Sequence, residues 1–268
     1  MSTRLDALLL VLAALALAPL PNSAQAQGTP VDLELVLAVD VSLSMDEDEQ
    51  RLQRQGYVAA FRHADVVRAI RSGIHGRIAV AFIEWAGDDV QRLIVPWTLV
   101  DGTGSAGAFA DALERAPITG RRRTSISGAL LYGAGLLESN GYAGLRRVID
   151  VSGDGPNNMG PPVAATRDQV TASGIIINGL PIVLKLGDPA GFHQVGDLDF
   201  YYKDCVIGGP GAFLIGVRDA REFPEAIRKK LILEIAGTMP RVIRAQAKAP
   251  REPTDCLIGE KIWDTLWD

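Results

Sequence analysis

The stretch Leu33-Glu34-Leu35-Val36-Leu37-Ala38-Val39-Asp40-Val41-Ser42-Leu43-Ser44 decides the fold. Residues 33–39 are apolar except for Glu34, with the length and β-branched content of a strand buried on both faces, as in a parallel sheet. Asp40 stops the run. Asp46, Glu47, Asp48 and Glu49 then open a helix to about residue 70, their charge suiting the positive end of the helix dipole. Tyr57, Ala60, Phe61, Ala64 and Val67 supply its buried stripe.

Outward from this unit, strands at 77–85 and 91–97 are joined through Gly87-Asp88-Asp89, a link short enough for an antiparallel hairpin. The remainder alternates: helices at 106–115 and 125–139, a strand at 147–152, a helix at 163–172 and a strand at 175–184. A Gly- and Asp-rich irregular stretch, 187–211, precedes a last strand at 212–217 and a closing helix at 222–236. Right-handed crossovers between such strands predict a doubly wound α/β domain, a mostly parallel sheet with one antiparallel edge strand and helices on both faces.

Composition fits that expectation. The chain is 47% apolar and 22% charged with a net charge of −5, which argues against disorder and against nucleic-acid binding by bulk charge. Arg4, the apolar run 7–18, Pro19, Pro21 and Ala24-Gln25-Ala26 read as a secretory signal peptide cleaved after Ala26. That run is well short of the roughly 20 residues a membrane-spanning helix needs. The expected organisation is a signal peptide at 1–26, a domain at 27–245 and a C-terminal tail at 246–268, exported to the periplasm or beyond, with no transmembrane segment in the mature chain. Cys205 and Cys256 would then meet an oxidising compartment, and a disulfide is expected over two free thiols. In the chain-entropy account such a bridge stabilises the fold by about 4 kcal/mol.

In a doubly wound sheet, ligands collect beyond the carboxyl ends of the strands. There Asp40, Ser42 and Ser44 alternate, so three oxygen-bearing side chains can project from one side of an extended turn. One carboxylate and two hydroxyls suit a hard divalent cation such as Mg²⁺. Alone, the string is better read as a loop capping the next helix. Two further loops add donors at the same sheet edge: Thr124, before the helix at 125, and Asp154-Gly155, after the strand ending at Ser152.

On these residues the chain resembles the von Willebrand factor type A (vWA) domain with its metal-ion-dependent adhesion site, over most of the mature sequence. In that family D-x-S-x-S, a Thr and an Asp-Gly form a Mg²⁺ site, which falls here on Asp40, Ser42, Ser44, Thr124 and Asp154. The resemblance implies that Asp40 and Asp154 act largely through bound water and that the hydroxyls stand closer to the ion. It also implies a protein partner whose Asp or Glu carboxylate takes the remaining position; Mn²⁺ or Ca²⁺ could replace Mg²⁺. Glu84-Trp85-Ala86-Gly87, Ile177-Asn178-Gly179-Leu180-Pro181 and Cys205-Val206-Ile207-Gly208-Gly209-Pro210-Gly211 resemble a bacterial branch of exported vWA-like proteins, which brings a fold and no activity. One departure stands out: the family usually places Thr or Ser before the Asp-Gly, and Gly153 intervenes here.

Other features carry less. Asp150, inside a central strand, needs a partner or marks a misplaced strand end, and Glu84 is either a solvated strand-end acid or a support for the site. Arg121-Arg122-Arg123 beside Thr124 would steer an acid or merely solvate a loop. Asp197, Asp199 and Asp204 offer a second ion site, against the plainer reading of a solvated loop. His63, His75 and His193 show no ligand spacing. Gly102-Thr103-Gly104-Ser105-Ala106-Gly107 imitates a dinucleotide turn, but no acid lies between Glu114 and Glu138 to hold a ribose, which favours a plain Gly-Ser loop. The G-x-S-x-G, H-E-x-x-H and P-loop signatures are missing from the sequence, so a binding module is expected over an enzyme. A metal-dependent hydrolase and a scaffold with a vestigial site are the alternatives.

Overall fold

Leu33–Asp40 is the central strand of a five-stranded sheet in the computed structural model, which describes residues 28–184, 198–237 and 252–267. In chain order the elements are β1 Thr29–Val31, β2 Leu33–Asp40, α1 Glu47–Arg62, α2 Ala64–Arg71, β3 Ile78–Trp85, β4 Gln91–Val100, α3 Thr103–Arg115, α4 Ile126–Glu138, β5 Tyr142–Gly144 and β6 Arg147–Gly153. There follow α5 Val163–Ala172, β7 Ile176–Pro181, α6 Leu198–Tyr201, α7 Phe223–Ala236 and α8 Ile258–Trp267. The sheet runs β4-β3-β2-β6-β7, parallel except for the antiparallel β3–β4 pair. This is the expected doubly wound architecture. β1 and β5 add a two-stranded parallel pair.

Every residue of β2 is buried, because helices cover both of its faces. Its period-2 alternation divides the core. Leu33, Leu35, Leu37 and Val39 pack with Tyr57, Phe61, Phe109 and Ile227 from α1, α3 and α7. Val36 and Ala38 pack with Ile126, Leu130 and Val163 from α4 and α5.

The single helix expected over 46–70 is two helices. His63 is extended (φ −82°, ψ 134°), and its Nδ1 accepts from Asp65 N at 3.1 Å, ending α1 and capping α2. Asp46 caps α1 in a reciprocal box with Glu49. The described part of the stretch expected to be irregular is instead α6 running into a π-helical turn, Tyr202–Val206, with Tyr201, Tyr202 and Cys205 buried. Residues 212–217 do not form a ladder strand. They follow left-handed Gly209 and Gly211 and meet β7 and the residue after it at isolated bridges, Leu214 with Gly179 and Val217 with Ile182. Cys205 and Cys256 are joined in a disulfide, their Cα atoms 5.4 Å apart. Among the described residues, no helix is long and apolar enough to cross a membrane.

Asp150, the acid inside β6, is paired from α7. Lys230 Nζ lies 2.8 Å from Asp150 Oδ1 and 2.7 Å from Glu234 Oε1, all three buried. Asn178 of β7 donates to Glu234 Oε2 at 2.7 Å, and its own Oδ1 accepts from Phe213 N at 2.8 Å. Burial pulls Lys230 down, but the two carboxylates outweigh it and leave the amine above its ordinary value. Burial lifts the Asp150 carboxyl to about 7, against Lys230 and with the help of Glu234.

This cluster gives the fold a pH signature. The folded-state value of Asp150 lies above its ordinary 3.8, so its contribution is full below that value and is lost as pH rises through about 7. Chemical denaturation between about pH 5 and 8 should show stability falling with pH, by up to about 3 kcal/mol over that window for such a shift. Asp150→Asn, which leaves Lys230 its Glu234 partner, should flatten the slope. A slope unchanged by the substitution would assign it elsewhere.

Candidate functional site

The strand order reverses around β2, which has β3 on one side and β6 on the other, so the carboxyl ends of β2 and β6 mark the switch point at which doubly wound sheets collect ligands. Asp40 ends β2, and Asp154 follows β6 directly. Between them runs a short polar chain. Ser42 N donates to Asp40 Oδ1 at 2.7 Å, the Ser42 and Ser44 hydroxyls are 2.9 Å apart, and Ser44 Oγ donates to Asp154 Oδ1 at 2.7 Å.

Asp40, Ser42 and Asp154 are buried, and Ser44 is half-buried. Burial first, and then the negative charge of Asp154, lift the Asp40 carboxyl well above the usual carboxylate range, against the pull of the Ser42 hydrogen bonds. Asp40 Oδ2 is enclosed and has no hydrogen-bond partner.

Thr124 is brought to the same edge by its backbone. Its N donates to Asn158 Oδ1 at 3.0 Å and its carbonyl accepts from Asn158 N at 2.9 Å, four residues past Asp154. The preceding loop is tied to the first one, Arg121 N donating to the Val41 carbonyl at 3.0 Å. Thus the three loops are stitched together, and the Ser42, Ser44 and Asp154 side chains form one hydrogen-bonded chain that Asp40 joins through the Ser42 amide. Among the described residues, no hydrogen bond joins the Thr124 hydroxyl to the other four.

Several supporting residues escaped the sequence reading. Gln50 Nε2 donates to the Met45 carbonyl at 2.8 Å, holding the serine loop, and Gln53 Nε2 donates to Ser152 Oγ at 2.7 Å. Gln50, Gln53 and Arg54 are polar positions on the buried stripe of α1, a signal that the helical period carries. Tyr202 gave no such signal. Burial, followed by the charges of Asp40 and Asp154, raises its phenol well above its ordinary value, so it stays neutral beside the two acids.

Gly153 explains the departure from the family pattern. A Cβ there would stand 2.8 Å from Asp40 Oδ2 and 3.0 Å from the Tyr202 hydroxyl, so a side chain at this position would require the Asp40 carboxylate to shift and would press on Tyr202.

The remaining sequence candidates fall into place around this core. Glu84 is buried rather than solvated, held by Arg54 and by Arg92 at 2.8 Å, so it ties α1 to β3 and β4. Burial raises its carboxyl, and the two arginines oppose the rise. Arg121, Arg122 and Arg123 are exposed. Asp199 pairs with Arg218, and Asp204 Oδ2 accepts from Thr254 N at 2.9 Å, while Asp197 and His193 lie outside the described residues. Among the described residues, no three His, Cys, Asp or Glu side chains cluster as metal ligands. The imitation dinucleotide turn follows antiparallel β4, not a parallel strand of a βαβ unit, and nothing lies within 4 Å of where side chains at Gly102, Gly104 or Gly107 would stand, so no protein atom requires glycine there.

The family model DUF1194, described as a protein of unknown function, matches residues 30–239. No curated protein matches the chain. Among solved structures, the chain is similar to proximal thread matrix protein 1 from the mussel byssus with a zinc-occupied metal-ion-dependent adhesion site motif (TM-score 0.53, 13% identity, covering 78% of this chain and 49% of that one). It is similar also to the pilus adhesin SpaC from Lactobacillus rhamnosus GG in its open conformation (0.55, 14%, 78% and 30%). A von Willebrand factor type A protein from Catenulispora acidiphila gives 0.51 at 13% identity, over 76% and 43%. The chain thus spans half or less of these proteins, and at such identities the likeness shows a vWA-like fold.

The close packing at Gly153 has a measurable consequence. Gly153→Ala should cost about 1–3 kcal/mol in denaturant unfolding, the usual penalty of overpacking. Enlarging the same spot on Tyr202 by removing its ring hydroxyl, in Gly153→Ala/Tyr202→Phe, should recover part of the loss. No recovery would mean that the neighbour set is different.

Proposed function

This chain belongs to the DUF1194 family of proteins of unknown function, and we propose that it is an exported vWA-like module that binds a protein partner through a divalent cation. Asp40, Ser42, Ser44, Thr124 and Asp154 would hold the ion, Mg²⁺ or another hard cation such as Mn²⁺ or Ca²⁺. An Asp or Glu carboxylate of the partner would complete its coordination. The observation that carries this reading is Asp40, a fully buried carboxylate whose Oδ2 has no hydrogen-bond partner and whose nearest charged neighbour is another acid. A cation would relieve both the desolvation and the repulsion. The donors are oxygens only, as hard cations prefer.

The surroundings support a partner of matching chemistry. Leu43, between the two serines, is 52% exposed, and Arg121 and Arg122 are exposed on the adjoining loop. An acidic side chain approaching the site would meet cations that steer it and an apolar contact at the rim. The zinc-occupied motif of the mussel protein and the adhesive role of SpaC lend weight to cation binding and to adhesion. Binding is favoured over hydrolysis because the site hydroxyls of Ser42, Ser44 and Thr124 serve as ligands and Tyr202 is held neutral. Export follows from a leader at 1–26 ahead of a domain at 27–245 and a tail at 246–268, and the disulfide suits an oxidising compartment.

Calorimetry should register Mg²⁺ binding to the wild type and none to Asp40→Ala. At a free cation concentration about a hundredfold above Kd, the ion should stabilise the wild type by about 2.7 kcal/mol. Capture of a partner from envelope extract should be abolished by EDTA. Equal binding by both proteins, or binding by neither, would end the reading.

A further inference from the structure

Residues 252–267 lie across the outside of the site and are fastened beside three of its parts. The Cys205–Cys256 disulfide joins them to the π-helical turn, three residues past Tyr202, and Thr254 N donates to Asp204 Oδ2 of the same turn at 2.9 Å. Glu260 Oε1 accepts from Asn157 Nδ2 at 2.8 Å, three residues past Asp154. The guanidinium of Arg123, next to Thr124, sits 4.2 Å over the Trp263 ring. The first turn of α8 rests directly on the Asp154 loop, for a Cβ at Gly259 would stand 2.0 Å from the Asn157 carbonyl oxygen.

The attachment passes inward through two asparagines. Asn157 is fully buried; its N donates to the Tyr201 hydroxyl at 3.0 Å, and its Oδ1 accepts from Ser127 N at 3.0 Å. Asn158 grips Thr124 from both sides of its peptide. Arg123, in the grip of Trp263, holds a left-handed backbone (φ 70°) that a non-glycine residue adopts only when its surroundings impose it. A ten-residue helix such as α8 is marginal by itself, so its order depends on this docking.

We propose that residues 252–267 are a disulfide-fastened strap that holds the Thr124 and Asp154 loops in their converged arrangement, so that strap docking and cation binding reinforce each other. Convergence of donors from separate loops carries an ordering cost, and a covalently held strap meets that cost before any ligand arrives. The coupling to the cation rests on the function proposed above, whereas the ordering of the loops does not.

The test is amide hydrogen exchange on the metal-free full chain for the wild type, for Cys205→Ser/Cys256→Ser, and for Gly259→Val, which keeps both cysteines should the double variant fail to fold. Exchange at 119–125 and 154–159 should quicken about tenfold in the variants, with β2 and β6 unchanged, and the Mg²⁺ Kd should rise by about the same factor. If 252–267 loses protection while those two loops keep theirs, the strap is a passenger and the proposal is overturned. If the wild type binds no Mg²⁺, the cation reading fails, and the exchange data still decide the strap.

Discussion

The structure is organised around the burial of a carboxylate that has no cation of its own. Asp40 sits at the tip of the central strand, fully buried, with one oxygen accepting from Ser42 N and the other without a hydrogen-bond partner. Such a group is costly by itself. The neighbouring acid Asp154 raises the cost, and the groups that join the pair, two serine hydroxyls and backbone amides, are neutral dipoles. The surrounding architecture keeps these groups in place despite the electrostatics.

Buried Asp32 and Glu34 accept from backbone amides and from Asn140, whereas two further groups of buried acids have cationic partners. Asp150 and Glu234 share Lys230, and Glu84 is clasped by Arg54 and Arg92. In each case a basic residue from a packed helix or adjacent strand meets the acid, which is how charges in an interior are ordinarily tolerated. These two clusters tie α7 to β6 and α1 to β3 and β4, and so fix the sheet under the site. A cationic side chain at Asp40 would have been equally available to such a fold. Among the described residues no cationic side chain is paired with it.

The legibility of these features in the sequence followed their range. β2 and its polar end were readable because a strand covered on both faces is a continuous apolar run and the oxygen-bearing residues Asp40, Ser42 and Ser44 follow one another at its end. The hairpin and the helix–strand alternation were readable for the same local reason. The break at His63 was missed because the apolar stripe continues across it, while the cap is made by one imidazole nitrogen and one backbone amide. The π-helical turn was missed because its neighbourhood is rich in Gly and Asp, although Tyr201, Tyr202 and Cys205 are held inside by tertiary packing. Lys230 as the partner of Asp150, and Arg54 as that of Glu84, are contacts between distant segments, on which no local spacing reports.

Gly153 shows how a departure from a motif can be read physically. The family pattern puts a hydroxyl residue before the Asp-Gly, and here the position carries no side chain. The space is taken by the Asp40 carboxylate, which would have to shift for a Cβ, and by the Tyr202 hydroxyl, on which a Cβ would press. Tyr202 arrives on a turn that the disulfide joins to residues 252–267, and those residues press in turn on the loops of Asp154 and Thr124. The loss of one side chain on β6 therefore belongs with the gain of an aromatic hydroxyl from a distant segment. A substitution restoring Thr or Ser at 153 would gain the family residue only by displacing Asp40, because the room it needs is already filled.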